Sequence, residues 1–191
     1  LHLSIRRQRQ MCIRDRKKIY LIRHAESEAN ASVDLDNPTY YYDAKITKRG
    51  EGQALKARSV LENINFDTFI CSPLTRTLQT FSIIFPDNKP IIEPLIREHL
   101  FHSCDVGRQP VELKKDFKSF DFSNLNKFWW NNNNKINEKK IVKEDFNDIK
   151  NRLDKFKLWL DKSNGNTIAL VSHGTFCLLY TSPSPRDVEE S

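Results

Sequence analysis

The feature that most restricts this chain is a repeated one: short apolar runs that stop abruptly on polar groups. "KIYLI" (18–22) ends on Arg23-His24, "FDTFICS" (66–72) ends on Ser72, and "TIALVSHG" (167–174) ends on Ser172-His173. Runs of this length, rich in β-branched and aromatic residues and bounded by turn formers, read as buried strands. Patterns of helical period lie between them. Ala54, Ala57 and Leu61 recur behind Thr47, a capping residue. Ser72-Pro73 supplies a cap followed by proline at a first helical position, and Leu74, Leu78, Phe81 and Phe85 mark the inner face of the helix it opens. Phe146, Ile149, Leu153, Phe156 and Leu160 give the cleanest stripe, which Asn164-Gly165 terminates. "PIIEPLI" (90–96) reads as a further strand, weakened by Pro94 or confined to a sheet edge. Strands alternating with helices specify an α/β domain of three layers, a largely parallel sheet flanked by helices. Sites in such sheets form beyond the carboxyl ends of the strands, so the three polar tips are expected to meet.

With 191 residues the chain is long enough for one domain with a real core. A hydrophobic content of 38% against 29% charged residues describes a soluble globular protein. No apolar run approaches the roughly 20 residues of a membrane span, and the basic start is not followed by the apolar stretch of a secretory signal. Four cysteines without a tight pair suit free thiols in a reducing compartment, so a cytoplasmic location is expected. The net charge of +6 is unevenly placed: residues 1–16 carry five arginines and one aspartate, and residues 177–191 carry one arginine, one aspartate and two glutamates. The remaining bias over 17–176 is mild. It suits small anions and does not form a nucleic-acid stripe.

The ends are unlike the rest. "RRQRQMCIRDR" (6–16) and "CLLYTSPSPRD" (177–187) resemble translations of the transposase adapters used in sequencing libraries. Residues 17–176 are therefore read as a single native domain with an insertion at about 99–143, and 1–16 and 177–191 as non-native ends. The Asn run at 131–134 reads as surface loop.

Arg23, His24, Arg76 and His173, with a helix N-terminus beside them, would surround one point. Guanidinium forks match phosphate oxygens, and helix-end N–H groups favour anions. "LIRHAESEAN" (21–30) resembles the RHG motif of the histidine phosphatase superfamily, the phosphoglycerate mutase-like proteins, with Ala25 where glycine is usual. "ITKRGEGQA" (46–54), "SPLTRTLQT" (72–80), "IRE" (96–98) and "VSHG" (171–174) resemble later blocks of that family in the same order. The resemblance implies a phosphoglycerate mutase-like fold. It makes His24 the nucleophile that becomes a phosphohistidine, with Arg23, Arg76, His173 and Asn30 on the phosphoryl group and Glu98 as general acid. It also implies metal-independent chemistry with no cofactor, on a small phosphorylated substrate, without nucleic acid or membrane; the oligomeric state is left open. The family continues past "VSHG" with a helix that covers the sheet. Adapter-like residues follow here, so the domain is expected to be truncated at its C-terminus, with that layer short.

Each residue also has a plainer reading. Asp105 is the second choice for the acid. Arg97 and Arg108 either read the substrate or are solvated. His99, His102, Cys104 and Asp105 imitate a metal cluster, but their spacing fits no familiar zinc pattern. Trp129-Trp130 and Tyr40 to Tyr42 either stack on a substrate ring or pack the fold, and packing is expected. Asn30 and Thr47 could equally serve loop and cap. Three functions follow: a phosphomonoester hydrolase, favoured by the chain's size; a phosphoglycerate mutase-type phosphotransferase; and a non-catalytic module binding phosphorylated ligands, against which the presence of His24 argues.

Overall fold

The computed structural model describes residues 17–32, 40–131 and 141–182. The basic segment 1–16, the tail from 183, Pro38 and most of the Asn run lie outside the described residues. The described elements are β1 (Lys18–Arg23), α1 (Glu28–Ala31), α2 (Lys48–Leu61), β2 (Thr68–Cys71), α3 (Thr75–Ile84), β3 (Ile91–Ile92), α4 (Pro110–Asp116), α5 (Phe146–Lys162), β4 (Thr167–Ser172) and α6 (Gly174–Thr181), with single 3₁₀ turns at Pro94–Ile96 and Ser103–Asp105.

The strands form one sheet in the order β1-β4-β2-β3, and every pairing is parallel. Arg23 lies opposite Ser172 and Cys71 opposite Val171, so β1, β4 and β2 end level at one edge. The ladder runs one step further: His24 N–H donates to the Ser172 carbonyl at 2.9 Å and Ser72 N–H to that of Val171 at 3.1 Å. The polar tips expected to converge do so because of this register.

Both faces of the sheet are covered. On one, Leu74 at the start of α3, Leu78 and Phe81 of α3, Ala54, Ala57 and Leu61 of α2, and Trp129 and Trp130 of the insertion pack over Cys71 and Val171. On the other, Leu153, Phe156 and Leu160 of α5 and Phe176 and Tyr180 of α6 pack over Leu21, Ile70 and Leu170. α6 lies in this layer, its Phe176 and Tyr180 four residues apart on one face and stacked 5.9 Å apart. Each fully buried Leu or Phe contributes about 1.5–3 kcal/mol. β3 is an edge strand of two residues, and Pro94 turns the chain into the 3₁₀ turn that follows it.

Three expectations are corrected. Ser72 does not cap α3, which begins at Thr75; its hydroxyl is 2.8 Å from His173 Nε2, and Asp43 caps the helix from a distance. Asp43 holds a left-handed φ of 44°, accepts the Thr75 N–H at 2.7 Å and pairs with Arg108 at 3.0 Å. Phe146 is exposed, because it is the first residue of α5 and Ile149 begins the buried stripe. Tyr40 and Tyr42 are also exposed; Asp43 and Ala44 are the buried residues of that loop. The tryptophans pack as expected, with the Trp129 ring where a Gly107 side chain would be and its indole N–H on the Arg108 carbonyl at 2.9 Å.

Gly50 explains the "TKRGEG" block. Thr47 caps α2 through the Gly50 N–H at 3.0 Å and donates its own N–H to the Glu26 carbonyl at 2.9 Å, seating the helix on the loop that follows His24. A Cβ at Gly50 would lie 2.3 Å from that carbonyl oxygen, whereas one at Gly52 meets nothing within 4 Å. Gly52→Ala should therefore stabilise the protein by up to about 1 kcal/mol through helix propensity. Gly50→Ala, in the same helix, should destabilise it by about 1–3 kcal/mol through overpacking. Urea unfolding of both variants checks the opposite signs; equal effects would mean the seat is not rigid.

Candidate active site

A cleft of about 430 Å³ opens at the carboxyl edge of the sheet. Its floor is Arg23 and His24 from the end of β1 and Arg76 from the first turn of α3; Ser27 and Asn30 form one side, Glu98 and Thr175 another. The outer wall comes from the insertion, with His99, Phe101, His102, Cys104 and Asp105.

His24 is 8% exposed, and its Nδ1 lies 2.7 Å from the Ala25 carbonyl. A carbonyl only accepts, so Nδ1 carries the proton and Nε2 keeps its lone pair. The peptide that carries this carbonyl is held by its own N–H, which Glu26 donates to Gln53 Oε1 at 2.9 Å, and the preceding one by the Ala25 N–H on Thr80 Oγ1 at 3.0 Å. Burial, reinforced by Arg76 and to a smaller extent by Arg23, lowers the His24 pKa to about 3. The ring is neutral throughout the physiological range.

His173 is fully buried behind this floor, its ring centroid 5.2 Å from that of His24. Nε2 meets Ser72 Oγ at 2.8 Å, while Nδ1 has no hydrogen-bond partner within the protein. Burial, then the nearby Arg76 and His24, hold its pKa well below the usual histidine value. Gly174 follows it and lies beside the Arg23 guanidinium, where a Cβ would make ordinary contact at 3.4 Å.

Arg76 is 3% exposed and held at both ends of its fork: Nη1 donates to the Cys104 carbonyl at 2.6 Å, and Nη2 to Asp105 Oδ1 at 3.1 Å. Asp105, considered above as an acid, is thus the counter-ion of Arg76, and its other oxygen accepts the His102 N–H at 2.9 Å. Arg23, by contrast, is exposed at the cleft. Glu98 projects into the same space, Oε1 accepting its neighbour's His99 N–H at 2.9 Å and Oε2 lying 3.4 Å from the Thr175 N–H. Asn30 both lines the cleft and caps: its Oδ1 is 2.9 Å from Ser27 Oγ, which leaves the amide NH₂ as its donor.

Several candidates are drawn elsewhere. Arg97 is neither solvated nor in the cleft; it is 5% exposed and paired with Glu144 at 2.5 Å. Arg108 is bound to Asp43 and Asp116. Among the described residues no group of three or more His, Cys, Asp or Glu side chains could hold a metal ion. His99 is instead tied through Nε2 to the Glu144 carbonyl at 2.8 Å, and Asp105 serves Arg76. Cys71, Cys104 and Cys177 are free thiols. No helix of the described residues is long and apolar enough to cross a membrane. Ser72 stands at the converging tips as expected, with His173 as its partner, whereas Thr80 and Thr175 are not among the residues expected in the site. Thr80 lies four residues from Arg76 and Thr175 two from His173.

The profile of the histidine phosphatase superfamily (branch 1) matches residues 19–182. The chain is 28% identical over 203 residues to phosphoglycerate mutase-like protein 1 of Arabidopsis thaliana, covering 84% of this chain and 69% of that protein. It is 26% identical over 105 residues to the adenosylcobalamin/alpha-ribazole phosphatase of Escherichia coli, covering 54% of this chain and 50% of the enzyme. The alpha-ribazole phosphatase structure from Shigella flexneri superposes with a TM-score of 0.56 at 23% identity, covering 83% of this chain and 75% of that one, and so shares the fold. A parallel sheet ending in Arg23-His24 on one strand and His173 on another, a sequence match across nearly the whole described chain, and the same fold in solved members lead to one conclusion: this chain belongs to the histidine phosphatase superfamily, branch 1.

Proposed function

We propose that this protein is a phosphomonoester hydrolase that works through a phosphohistidine on His24. The observation that carries the reading is a neutral imidazole, clamped at Nδ1 by the Ala25 carbonyl, in a cleft whose other charged groups are Arg23, Arg76, Glu98 and Asp105. Relatives named as phosphatases support it.

In the first step His24 Nε2 attacks phosphorus. The N–P bond forms as the P–O bond to the leaving group breaks, and the Glu98 carboxyl gives its proton to the departing oxygen. Arg23 and Arg76 hold the three equatorial oxygens, whose charge is spread in the transition state. His173 supplies a further donor once its unpartnered Nδ1 carries the proton, with Nε2 then accepting from Ser72. Asn30 adds its amide. In the second step the Glu98 carboxylate takes a proton from water. The hydroxyl oxygen attacks phosphorus, the N–P bond breaks, and neutral His24 returns with inorganic phosphate as the product.

The lining favours hydrolysis over a phosphoglycerate mutase reaction. Among the described residues it carries two permanent cations, Arg23 and Arg76, and Arg76 already shares one arm with Asp105. Both are engaged by a phosphoryl dianion, so neither is spare for the carboxylate of a phosphoglycerate.

His24→Ala should lower hydrolysis of p-nitrophenyl phosphate by about three orders of magnitude or more. It should also abolish the acid-labile, alkali-stable label trapped from a ³²P-phosphorylated substrate. Arg23→Ala, at an exposed position, should cost about a hundredfold in kcat/KM with unchanged stability. Retained turnover in the His24 variant would refute the mechanism, and interconversion of 3- and 2-phosphoglycerate by the wild type would favour the mutase.

The neutrality of His24 can be read without substrate. Its folded pKa of about 3 lies below its ordinary 6.5, so between these values the unfolded chain binds a proton the folded one does not. This stability is complete above pH 6.5 and lost as pH falls. Wild type should therefore lose about 2 kcal/mol more than His24→Gln between pH 7 and pH 5, measured by urea unfolding at both values. Parallel losses would mean that His24 protonates in the fold.

A further inference from the structure

Glu98 stands six residues beyond a strand only two residues long, where no ladder continues. The backbone that carries it is held instead by two buried side chains. Arg152 of α5 donates from Nη1 to the carbonyls of Leu95 at 2.7 Å and Arg97 at 2.8 Å, and from Nη2 to that of Glu98 at 3.4 Å. Its Nε and Nη2 grip both oxygens of Glu144 at 3.1 and 2.9 Å. Glu144 holds the far side of the same segment: Oε2 accepts the Leu100 N–H at 3.0 Å, its own N–H donates to the Leu100 carbonyl at 3.0 Å, and its carbonyl takes the His99 ring at 2.8 Å. Arg97 completes the set on Glu144 Oε1.

Residues 95–100 are thus fastened on both sides of Glu98, and the side chains that do it stay outside the cleft. Burial raises the Glu144 carboxyl, but Arg97 and Arg152 outweigh it and hold the pKa below the usual range, so the anion is retained. Two buried guanidiniums on one carboxylate are a costly way to stabilise a core, since apolar residues of similar volume commonly do as well or better. What the ions supply that apolar groups cannot is a fixed position for three backbone carbonyls, those of Leu95, Arg97 and Glu98, in a segment outside the strand ladder.

We propose that Arg152 and Glu144 are positioning residues for the proton-donating carboxyl of Glu98, acting through the backbone of residues 95–100 and not through contact with substrate. The inference rests on the reading of Glu98 as the acid. It predicts a selective defect. An alkoxide leaving group needs the proton, whereas 2,4-dinitrophenolate leaves without one, so misplacing the acid penalises only the first. A general loss of folding or of phosphate binding penalises both.

The test compares kcat/KM, which reports phosphoenzyme formation, for glycerol 2-phosphate and 2,4-dinitrophenyl phosphate. The proteins are wild type, Arg152→Lys, Glu144→Gln and Glu98→Gln. Arg152→Lys keeps the charge and loses the fork; Glu144→Gln keeps the shape and provides a second route if the lysine variant does not fold. Glu98→Gln should lose about a hundredfold or more on the alkyl ester and less than about threefold on the dinitrophenyl ester. The positioning variants should show the same split at roughly ten- to a hundredfold, and Arg152→Lys should add nothing on the alkyl ester in the Glu98→Gln background. Equal losses on both esters in the positioning variants, with the split intact in Glu98→Gln, would overturn the inference and leave the acid assignment standing. Absence of the split in Glu98→Gln would remove the acid assignment and the inference with it.

Discussion

The site depends on the parallel pairing of β1 with β4. That ladder sets Arg23 opposite Ser172, and the next hydrogen bond, from His24 N–H to the Ser172 carbonyl, brings two imidazoles to neighbouring strand tips. A slip of one residue would turn every side chain of β1 to the other face. His24 would then leave the cleft, and Leu21 and Ile22 would exchange the two cores they serve. The hydrophobic layers therefore enforce the register, and the register places the chemistry. Neither face could be stripped without loosening the site.

Burying that much polarity has a cost, and the fold meets it by giving most buried groups a fixed partner. Ser72 gives its hydroxyl to His173 instead of to a helix cap. Asp43 takes over the cap, with burial raising its carboxyl pKa while the Thr75 and Arg108 bonds oppose the rise. Each replacement links segments far apart in sequence, so the site is braced by contacts from α3, from the loop before α2 and from the insertion. Buried networks of this kind, when satisfied, restrict the core to one arrangement. An exception among the described residues is His173 Nδ1, buried without a partner next to His24. An unpaired polar atom of this sort is expensive in a folded chain, and its place beside the proposed nucleophile supplies a reason for keeping it.

Sequence patterning carried as far as the period and the strand tip reach. The strands at 18–22, 66–72 and 167–174, the α5 stripe from Ile149 to Leu160, and the gathering of Arg23, His24, Arg76 and Glu98 at one cleft, with His173 buried beside His24, are local signals summed through a known kind of sheet. What could not be read depends on partners distant in sequence. Ser72 looked like a cap because Ser-Pro before a helix usually is one, and only its distance to His173 decides otherwise. Trp129 packs on Gly107 through a contact that no periodicity announces. Arg97 looked solvated because its partner, Glu144, is 47 positions away. One signal was present and unused: Arg152 falls three residues after Ile149 and four before Phe156, on the buried face of α5. A cation at a core position of a helix needs an anion to meet it.

The pairing of Arg76 with Asp105 bears on what the cleft is prepared to accept. A guanidinium 3% exposed cannot stand without a counter-charge, and Asp105 supplies one. An arriving phosphoryl dianion meets a fork already aimed by Asp105 and by the Cys104 carbonyl, so little side-chain freedom is lost on binding. The same carboxylate repels the dianion, so ground-state affinity is held down. In the proposed first step that repulsion eases as charge moves from the phosphoryl oxygens to the leaving group, and the Glu98 proton neutralises the departing oxygen. A cleft with two arginines and two carboxylates is thus better matched to a phosphate in transfer than to one at rest, which is the condition for turnover in preference to storage.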